Sequence, residues 1–261
     1  DTHVDLVIRA AKAGKPIFCE KPISLSLAEV NKAMDEVTKA GVPFMIGFNR
    51  RFDPGHKSVR DAVAAKEIGD LHVLRITSRD PAPPPPEYVA VSGGIFLDMT
   101  IHDFDMARYV AGSEVVEVYA RGAVRVDPRI GEAGDVDTTA ITMIHDDGAM
   151  TMIDNSREAV YGFDQRVEAF GNEGMAVSDN PSKHDGWRRT REATIAQPLP
   201  WFFLDRYMPS YRNEWEAFRT YLVDGGPSPA GVDAAIECTK VALAAKKSWQ
   251  EGRAVRVDEI S

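Results

Sequence analysis

The stretch from Pro16 to Gly47, PIFCEKPISLSLAEVNKAMDEVTKAGVPFMIG, predicts a strand, a helix and a second strand in that order. Two short apolar runs flank a segment whose apolar residues recur at helical spacing. Ser26 can cap this helix with Glu29 as its capping-box partner, and Gly41 ends it. Residues 2–14 show a further helical pattern. Alternating helices and short buried strands are typical of a parallel α/β sheet.

Lys21 lies directly after the first apolar run, between Glu20 and Pro22. Open α/β sheets bind their ligands at the carboxyl ends of parallel strands, so this lysine is well placed for binding or chemistry. The alternative is a solvated lysine paired with Glu20, which is the usual arrangement of charged residues at strand ends. Taken alone, the residue leaves both interpretations open.

Strand patterns dominate the second half of the chain and predict a large, mostly antiparallel sheet. The tripeptide DDG at 146–148 predicts a hairpin between two of these strands. Residues 81–94 are rich in proline and predict a shaped loop, residues 95–112 predict one helix, and 206–225 and 231–252 predict two amphipathic helices. The strand patterns cover residues 115–126, 135–145, 149–159, 164–172 and 174–180.

The composition argues against several classes of protein. The formal net charge is −9 and the pI is near 5.2, and the strongest basic cluster, Arg188, Arg189 and Arg191, is too short to follow a phosphate backbone. No apolar run reaches the length of about 18 residues that a membrane span needs, and the start lacks a signal-peptide pattern. We therefore expect a cytoplasmic protein with no nucleic-acid or membrane partner. Cys19 and Cys238 are predicted to be buried thiols, and we expect no metal site.

Asp98, His102 and Asp105 are spaced so that one continuous helix would place all three within roughly 60° of one another. The rest of the segment is largely apolar, so these ionisable groups need partners or a ligand. Three interpretations remain open: an ion-paired histidine, a metal site, and a proton-accepting His102 whose tautomer and position Asp98 fixes. The metal site is the weakest, because no further histidine or cysteine lies in register. Lys21 could face the same cleft.

Four segments, GKPIFCEKP, GFNRRFDP, SGGIFLDMTIHDFDMARYV and YGFDQRVEAFG, resemble the glucose-fructose oxidoreductase and inositol dehydrogenase family. The resemblance covers essentially the whole chain. Its most specific element is a Gly-Gly pair followed by Asp, three residues, His, two residues and Asp, about 75 residues after Glu-Lys-Pro. The segment SRDPAPPPPEYVAVSGGIFLDMTIHDFDMAR is most similar to the inositol 2-dehydrogenases of that family.

The resemblance implies a fold of the α/β plus α+β class, with a partial Rossmann parallel sheet followed by a C-terminal domain with a large, mostly antiparallel open sheet. Residues 1–48 would be the C-terminal part of a dinucleotide-binding Rossmann domain. Residues 49–240 would form the domain for substrate binding and oligomerisation. Residues 241–261 would form a C-terminal helix and tail that pack back on the Rossmann part. A homo-oligomer, dimer or tetramer, is expected.

The same resemblance implies NAD-dependent oxidation of a cyclic polyol, with myo-inositol to 2-keto-myo-inositol as the first candidate reaction; NADP is a second cofactor candidate. His102 would accept the hydroxyl proton while the hydride passes to the nicotinamide, and Lys21 would donate a hydrogen bond to the oxygen. One alternative is another sugar or polyol dehydrogenase of the family. A different alternative is a non-catalytic protein that binds a sugar or serves assembly.

The resemblance also assigns roles to individual residues. The catalytic candidates are Lys21, Asp98 and His102. The substrate-binding candidates are Asp105, Arg51, Tyr161, Tyr207 and Tyr211. The cofactor-binding candidates are Thr2, His3, Glu20, Lys21 and Pro22.

The chain departs from the family pattern in its cofactor-binding region. Family members begin with a glycine-rich strand-to-helix turn and an acidic residue that holds the adenosine ribose, and this sequence contains neither. The missing strand-helix units would need about 60 to 80 residues. We therefore expect a fragment or an inactive form that binds NAD weakly, because the helix N-terminus that holds the pyrophosphate is absent.

Overall fold

The computed structural model describes residues 2–182 and 184–261 of the chain. It opens with four elements: α1 (His3–Lys12), β1 (Ile17–Glu20), α2 (Leu27–Ala40) and β2 (Phe44–Gly47). The two strands are parallel, with Ile17 opposite Phe44 and Glu20 opposite Gly47. The predicted order of helices and parallel strands is therefore confirmed.

The ends of α2 show why this segment folds locally. Gly41 adopts a left-handed conformation with φ of 62°, and its amide donates to the carbonyl oxygens of Val37 and Thr38, as expected for a glycine that ends a helix. Ser26 stands at the N-cap with an extended backbone, but its side chain makes no capping hydrogen bond. Burial of one apolar face therefore holds the helix more than its cap does. The buried residues of this face are Leu27, Val30, Ala33, Met34 and Val37.

The second part of the chain is built on a seven-stranded sheet in the order β11-β4-β5-β6-β3-β7-β8. Its strands are β3 (Leu71–Arg79), β4 (Val115–Ala123), β5 (Thr138–His145), β6 (Met150–Ser156), β7 (Asp164–Gly171), β8 (Met175–Ser178) and β11 (Val255–Arg256). Two short strands, β9 (Arg188–Arg189) and β10 (Thr194–Ile195), pair separately. Among the described residues every pair in the large sheet is antiparallel except β3 with β6. The predicted mostly antiparallel sheet is confirmed, and so is the hairpin at 146–148.

The strand β3 lies between β6 and β7, although those two strands follow each other in the chain. The connection 157–163 must therefore cross the carboxyl end of β3. Two backbone hydrogen bonds hold it there, from Asp80 to the carbonyl of Ser156 at 2.9 Å and from Ala159 to the carbonyl of Asp80 at 2.6 Å. This crossing brings the connection to the edge of the sheet where the site lies.

Helices cover one face of the large sheet and bury its core. The helical elements after β2 are the 3₁₀ turn Asn49–Phe52, α3 (Pro54–Ala64), α4 (Pro86–Ser92), α5 (Ile95–Asp98), α6 (Ile101–Ala111), α7 (Pro128–Glu132), α8 (Phe203–Asp224), α9 (Val232–Glu251) and the 3₁₀ turn Val257–Glu259. Helices α3, α6 and α9 pack on the sheet. Their contact surface is apolar and includes Leu74, Ile76, Phe104, Val118, Ile153 and Val241.

The opposite face of the large sheet is exposed and carries large apolar side chains beside charged pairs such as Arg75 with Glu168. Six large side chains on it are between 38% and 55% exposed: Tyr119, Met150, Met152, Phe170, Met175 and Val177. The strand register places Val73 opposite both Met150 and Phe170, and Phe170 opposite Met175. Met150, Val73, Phe170 and Met175 therefore form one apolar row across the adjacent strands β6, β3, β7 and β8, whereas Tyr119 lies apart on β4.

The segment 95–112 differs from the single helix that its pattern predicts. The helix is interrupted between α5 and α6, where the amide of Thr100 bonds to the carbonyl of Ile95 and the Thr100 hydroxyl donates to Asn155 at 2.7 Å. This buried side-chain bond to the sheet fixes the interruption. The proline-rich segment also differs, because residues 86–92 form a helix; Pro86 stands in its first turn, where proline is tolerated.

The C-terminal tail packs on the large sheet and not on the Rossmann part, contrary to the expectation for residues 241–261. Strand β11 pairs with β4, with Val255 opposite Val118. Val255 and Val257 are buried in the core of the large sheet. Only the beginning of α9, including Ala234 and Cys238, packs with the first four elements. The apolar alternation of the tail explains this, because it adds an edge strand to the sheet.

No helix within residues 2–182 and 184–261 combines the length and the apolar character that crossing a membrane requires. Both cysteines are buried free thiols, as predicted.

Candidate active site

A polar cavity of about 330 Å³ lies between the carboxyl end of β1 and the helices α5 and α6. Its lining brings together five of the predicted residues, Lys21, Asp98, His102, Tyr207 and Tyr211. The remaining lining residues are Asn49, Arg50, Asp80, Tyr88, Met99, Phe163 and Phe203. The Rossmann part supplies the lysine and the second domain supplies the histidine, so the cleft lies at their junction.

Lys21 follows β1 and points into this cleft. Its Nζ donates to the backbone carbonyl of Asp98 at 2.6 Å and stands 4.0 Å from Oδ1 of the same residue. Burial lowers the pKa of Lys21; the charge of Asp98 opposes this effect and that of Arg50 adds to it. The lysine is therefore a better proton donor than an exposed lysine.

The carboxylate of Asp98 is held by groups other than His102. Its Oδ1 accepts from the Tyr88 hydroxyl at 2.8 Å, and its Oδ2 accepts from both terminal nitrogens of Arg157 at 3.3 and 3.2 Å. No hydrogen bond joins Asp98 to His102 among the described residues. The expected orienting role of Asp98 toward His102 is therefore not seen, because the interruption before α6 separates the two residues and Arg157 takes up the carboxylate.

His102 is partly buried, and its imidazole is neutral at neutral pH. Burial lowers the pKa of His102 well below its usual value, and the nearby charges of Lys21 and Arg50 lower it further. Its Nδ1 is buried and, within the described part of the chain, makes no hydrogen bond. The ring meets Phe48 edge-on at 6.2 Å between centroids. A neutral imidazole in a polar cleft can accept a proton from a bound hydroxyl.

Asp105 and Arg51 form an ion pair outside the cleft. Arg51 donates from Nε at 2.8 Å to Oδ2 of Asp105 and from Nη1 at 2.8 Å to the carbonyl of Pro229. Asp105 is 1% exposed. This pair ties the 3₁₀ turn Asn49–Phe52 to α6, and neither residue lines the cavity that holds Lys21 and His102, in contrast to the expectation from the resemblance.

The neighbouring arginine, Arg50, lines the cleft instead. Its Nη1 donates to Ser78 at 3.1 Å and to the buried carboxylate of Asp103. Asp103 also accepts from Asn155 at 2.8 Å. This network fixes the guanidinium beneath the cavity. The sequence NRRF presents two adjacent arginines and carries no signal that distinguishes them.

The predicted tyrosines occupy two different places. Tyr207 lines the cleft, and its hydroxyl lies 3.2 Å from Nε2 of His56. Tyr161 is 49% exposed and does not line the cavity; its hydroxyl donates to Asp164 at 2.7 Å and accepts from Arg79 at 2.9 Å. Its place in the cleft is taken by Phe163, two residues later on the crossing connection.

The predicted cofactor-side residues cluster around the end of β1. Nδ1 of His3 lies 2.9 Å from the carbonyl of Pro22. The Glu20 carboxylate covers Gly47, where an added Cβ would lie 2.8 Å from Oε2 of Glu20. Thr2 is exposed at the start of α1. Of this group only Lys21 lines the cavity.

Asp80 is a cleft residue that the sequence pattern did not identify. It follows β3 and lines the cavity, and among the described residues its carboxylate makes no hydrogen bond. Burial raises the pKa of Asp80 to about 6, although Arg157 and Arg50 oppose the effect. Its position at a strand end, directly before a proline run, was the available signal. The described residues contain no group of three side chains arranged to hold a metal ion.

The cleft and the two-part fold define a class of protein, a nicotinamide-type oxidoreductase with a separate substrate domain. The chain belongs to the GFO/IDH/MocA oxidoreductase family: residues 1–48 match the family's NAD-binding Rossmann fold and residues 56–177 match its C-terminal domain. These matches and the relatives below confirm the family and the fold class that the motifs predict.

Individual relatives are inositol dehydrogenases. Myo-inositol 2-dehydrogenase of Thermotoga maritima is 49% identical over 100% of this chain and 78% of its own length. Inositol 2-dehydrogenase of Rhizobium meliloti is 43% identical over 98% of this chain and 78% of its own length. The structure of scyllo-inositol dehydrogenase from Lactobacillus casei with bound NAD(H) and scyllo-inositol has a TM-score of 0.90 at 30% identity, covering 98% of this chain and 77% of that one.

Proposed function

We propose that the cleft binds a cyclic polyol and that the protein oxidises one ring hydroxyl to a ketone, with myo-inositol to 2-keto-myo-inositol as the first candidate reaction. The observation that carries this proposal is the meeting of Lys21 and neutral His102 in one polar cavity of about 330 Å³. A cavity of this size, lined by charged and hydroxyl groups, suits a small polyol. The identity to relatives named for inositol oxidation supports the choice.

The chain's own residues divide the work of the reaction. His102 accepts the proton of the reacting hydroxyl, which its neutral state allows. Lys21 donates a hydrogen bond to the same oxygen and stabilises the negative charge that develops there. Four cleft residues with donors or acceptors, Asn49, Arg50, Asp80 and Tyr211, are placed to bind the other ring hydroxyls and so select the reacting carbon.

The residues present fit the nicotinamide end of a dinucleotide. Lys21 lies at the carboxyl end of a parallel strand, where such sheets bind cofactors, and Nδ1 of His3 lies 2.9 Å from the carbonyl of the next residue, Pro22. A bound nicotinamide supplies the hydride acceptor. The sequence contains no G-x-G-x-x-G turn to hold a pyrophosphate, so we propose that this chain binds NAD or NADP weakly.

We also propose a homo-oligomer, a dimer or tetramer, that forms through the exposed face of the large sheet. Exposed Met150, Phe170 and Met175 lie in one row with Val73 across the adjacent strands β6, β3, β7 and β8 and form an apolar patch. A patch of this kind is typical of a protein interface. A cytoplasmic location is consistent with the absence of a membrane-spanning helix among the described residues.

The test is the reduction of NAD, at high NAD concentration, with a panel of polyols that includes myo-inositol, scyllo-inositol and glucose. We expect myo-inositol to be oxidised and His102→Ala to abolish the reaction. His72→Ala, an exposed histidine outside the cleft, is the matched control and should retain activity. Oxidation of another panel member alone would identify a different polyol. Binding of a polyol without turnover would favour the non-catalytic alternative.

A further inference from the structure

We propose that Arg157 is a positioning residue of this cleft: it holds the carboxylate of Asp98 away from Lys21 and thereby leaves the Lys21 ammonium available to a substrate hydroxyl. The role of Lys21 toward substrate rests on the proposed function. The positioning itself is a property of the free protein and can be tested without any turnover.

Arg157 lies behind the cleft and does not line it. It is the first residue of the connection that crosses the carboxyl end of β3, and its amide donates to the carbonyl of Asp137 at 2.8 Å. Its side chain is 2% exposed, yet its two terminal nitrogens both reach Oδ2 of Asp98. A fully buried arginine is costly unless it is paired, and Asp98 is the carboxylate with which it forms an ion pair in the described structure.

The geometry around Asp98 separates its charge from Lys21. Arg157 binds one carboxylate oxygen and the Tyr88 hydroxyl binds the other. Lys21 donates to the backbone carbonyl of Asp98 at 2.6 Å, while its Nζ remains 4.0 Å from the nearest carboxylate oxygen. The ammonium therefore bonds to a neutral acceptor although an anion lies within reach. In a buried site, an unrestrained carboxylate at this distance would move into direct contact with the ammonium.

The protonation of Lys21 depends on the balance of the charges around it, so the position of Asp98 matters. The ionisable side chains that face it are Glu20 at the end of β1, Arg50 on the 3₁₀ turn, Asp80 after β3, Asp98 on α5 and His102 on α6. Burial favours the neutral amine, and Arg50 acts in the same direction; the three carboxylates oppose both. Direct contact with the Asp98 carboxylate would strengthen the effect of the carboxylates, which favour the charged ammonium. It would also hold the ammonium in an ion pair and away from a substrate hydroxyl.

The experiment measures how readily Lys21 loses its proton. Acetic anhydride acylates only the neutral amine, so the pH dependence of Lys21 acylation, followed by peptide mass spectrometry, reports its protonation. In Arg157→Met the released Asp98 should close on Lys21 and move the midpoint of this dependence to higher pH, which lowers the rate at a fixed neutral pH about tenfold. An unchanged midpoint in folded Arg157→Met would overturn the proposal.

A double variant separates positioning from a direct effect of the arginine charge. In an Asp98→Asn background there is no carboxylate to release, so adding Arg157→Met should leave the midpoint unchanged. A similar rise in that background would mean that Arg157 acts on Lys21 directly, which would contradict the proposal. Arg108→Met is the matched control, because Arg108 is also a buried arginine in an ion pair, with Glu114, outside the cleft. It should not move the Lys21 midpoint.

Tyr88→Phe keeps the proposal testable if Arg157→Met does not fold. Tyr88 is 47% exposed, so its hydroxyl can be removed with little effect on folding, and it restrains the carboxylate oxygen that faces Lys21. A smaller rise of the midpoint is expected, and its absence would count against the proposal. Arg157→Lys should restore a midpoint near that of the original protein. If the midpoints behave as expected and no polyol is oxidised, the positioning stands and the proposed function fails.

Discussion

Glu214→Gln should remove a large part of the pH dependence of folding stability. Glu214 lies on α8 and is 1% exposed, and within the described part of the chain neither of its carboxylate oxygens has a hydrogen-bond partner. Burial raises the pKa of Glu214 to about 8, with the charges of Glu20 and Asp105 adding to the effect. The folded protein therefore keeps this carboxyl group protonated at neutral pH.

The sign and size of the effect follow from the two pKa values. Below the ordinary glutamate value of 4.5 both the folded and the unfolded chain hold the proton, and between that value and about 8 only the folded chain does. The free energy of unfolding contributed by Glu214 therefore falls by about 1.4 kcal/mol for each pH unit as the pH rises through this window. The total is on the order of 3 to 5 kcal/mol, and above the folded pKa the full cost of a buried carboxylate is present.

The assay is urea denaturation at pH values from 5 to 9. A glutamine has nearly the shape of a protonated glutamate and cannot ionise, so Glu214→Gln should match the original protein near pH 5 and exceed its stability by several kcal/mol near pH 9. Every other titrating group is common to both proteins, so the difference isolates Glu214. Glu216→Gln, an exposed residue on the same helix, is the control and should change little. Parallel pH curves for Glu214→Gln and the original protein would refute the reasoning.

Three further outcomes are expected. Tyr211→Phe should lower kcat/KM for the polyol roughly tenfold, because a hydroxyl is lost from the cleft, whereas Tyr161→Phe should stay within about twofold; the reverse order would contradict the observed cleft. Met150→Lys combined with Phe170→Lys should shift the protein to a smaller species in light scattering, since charge is placed in the apolar patch; an unchanged mass would exclude that face as the interface. Calorimetric titration of NAD into this chain should give a dissociation constant weaker than micromolar, and micromolar binding would show that the glycine-rich turn is not needed.

Local patterns predicted most of the elements, because local interactions build them. The apolar runs around Lys21, the glycine at position 41 and the turn at 146–148 each act within a few residues, and each was found where expected. The helix interruption before His102 could not be predicted in this way. It depends on a hydrogen bond from Thr100 to Asn155. Asn155 lies on β6, 55 positions further along the chain.

The candidate site was predicted only in part, because some of its contacts are local in the chain and others join distant segments. Lys21, Asp98 and His102 belong to motifs and do line one cleft. Which of two adjacent arginines enters the cleft depends on the direction of one 3₁₀ turn, and which aromatic residue of the crossing connection enters depends on its path over β3. The contacts of Asp98 with Arg157 and Tyr88 form only when three separate segments meet.

The position of β3 between β6 and β7 bears on the order in which the protein folds. Its partners are distant in the chain: Val73 pairs with Met150 and Arg75 pairs with Glu168. Such a strand closes long loops and belongs to the slow, non-local part of folding. The connection that carries Arg157 and Phe163 can take its place only over a finished β3. We therefore expect the cleft to be among the last parts of the molecule to fold, after β3 has paired with both β6 and β7.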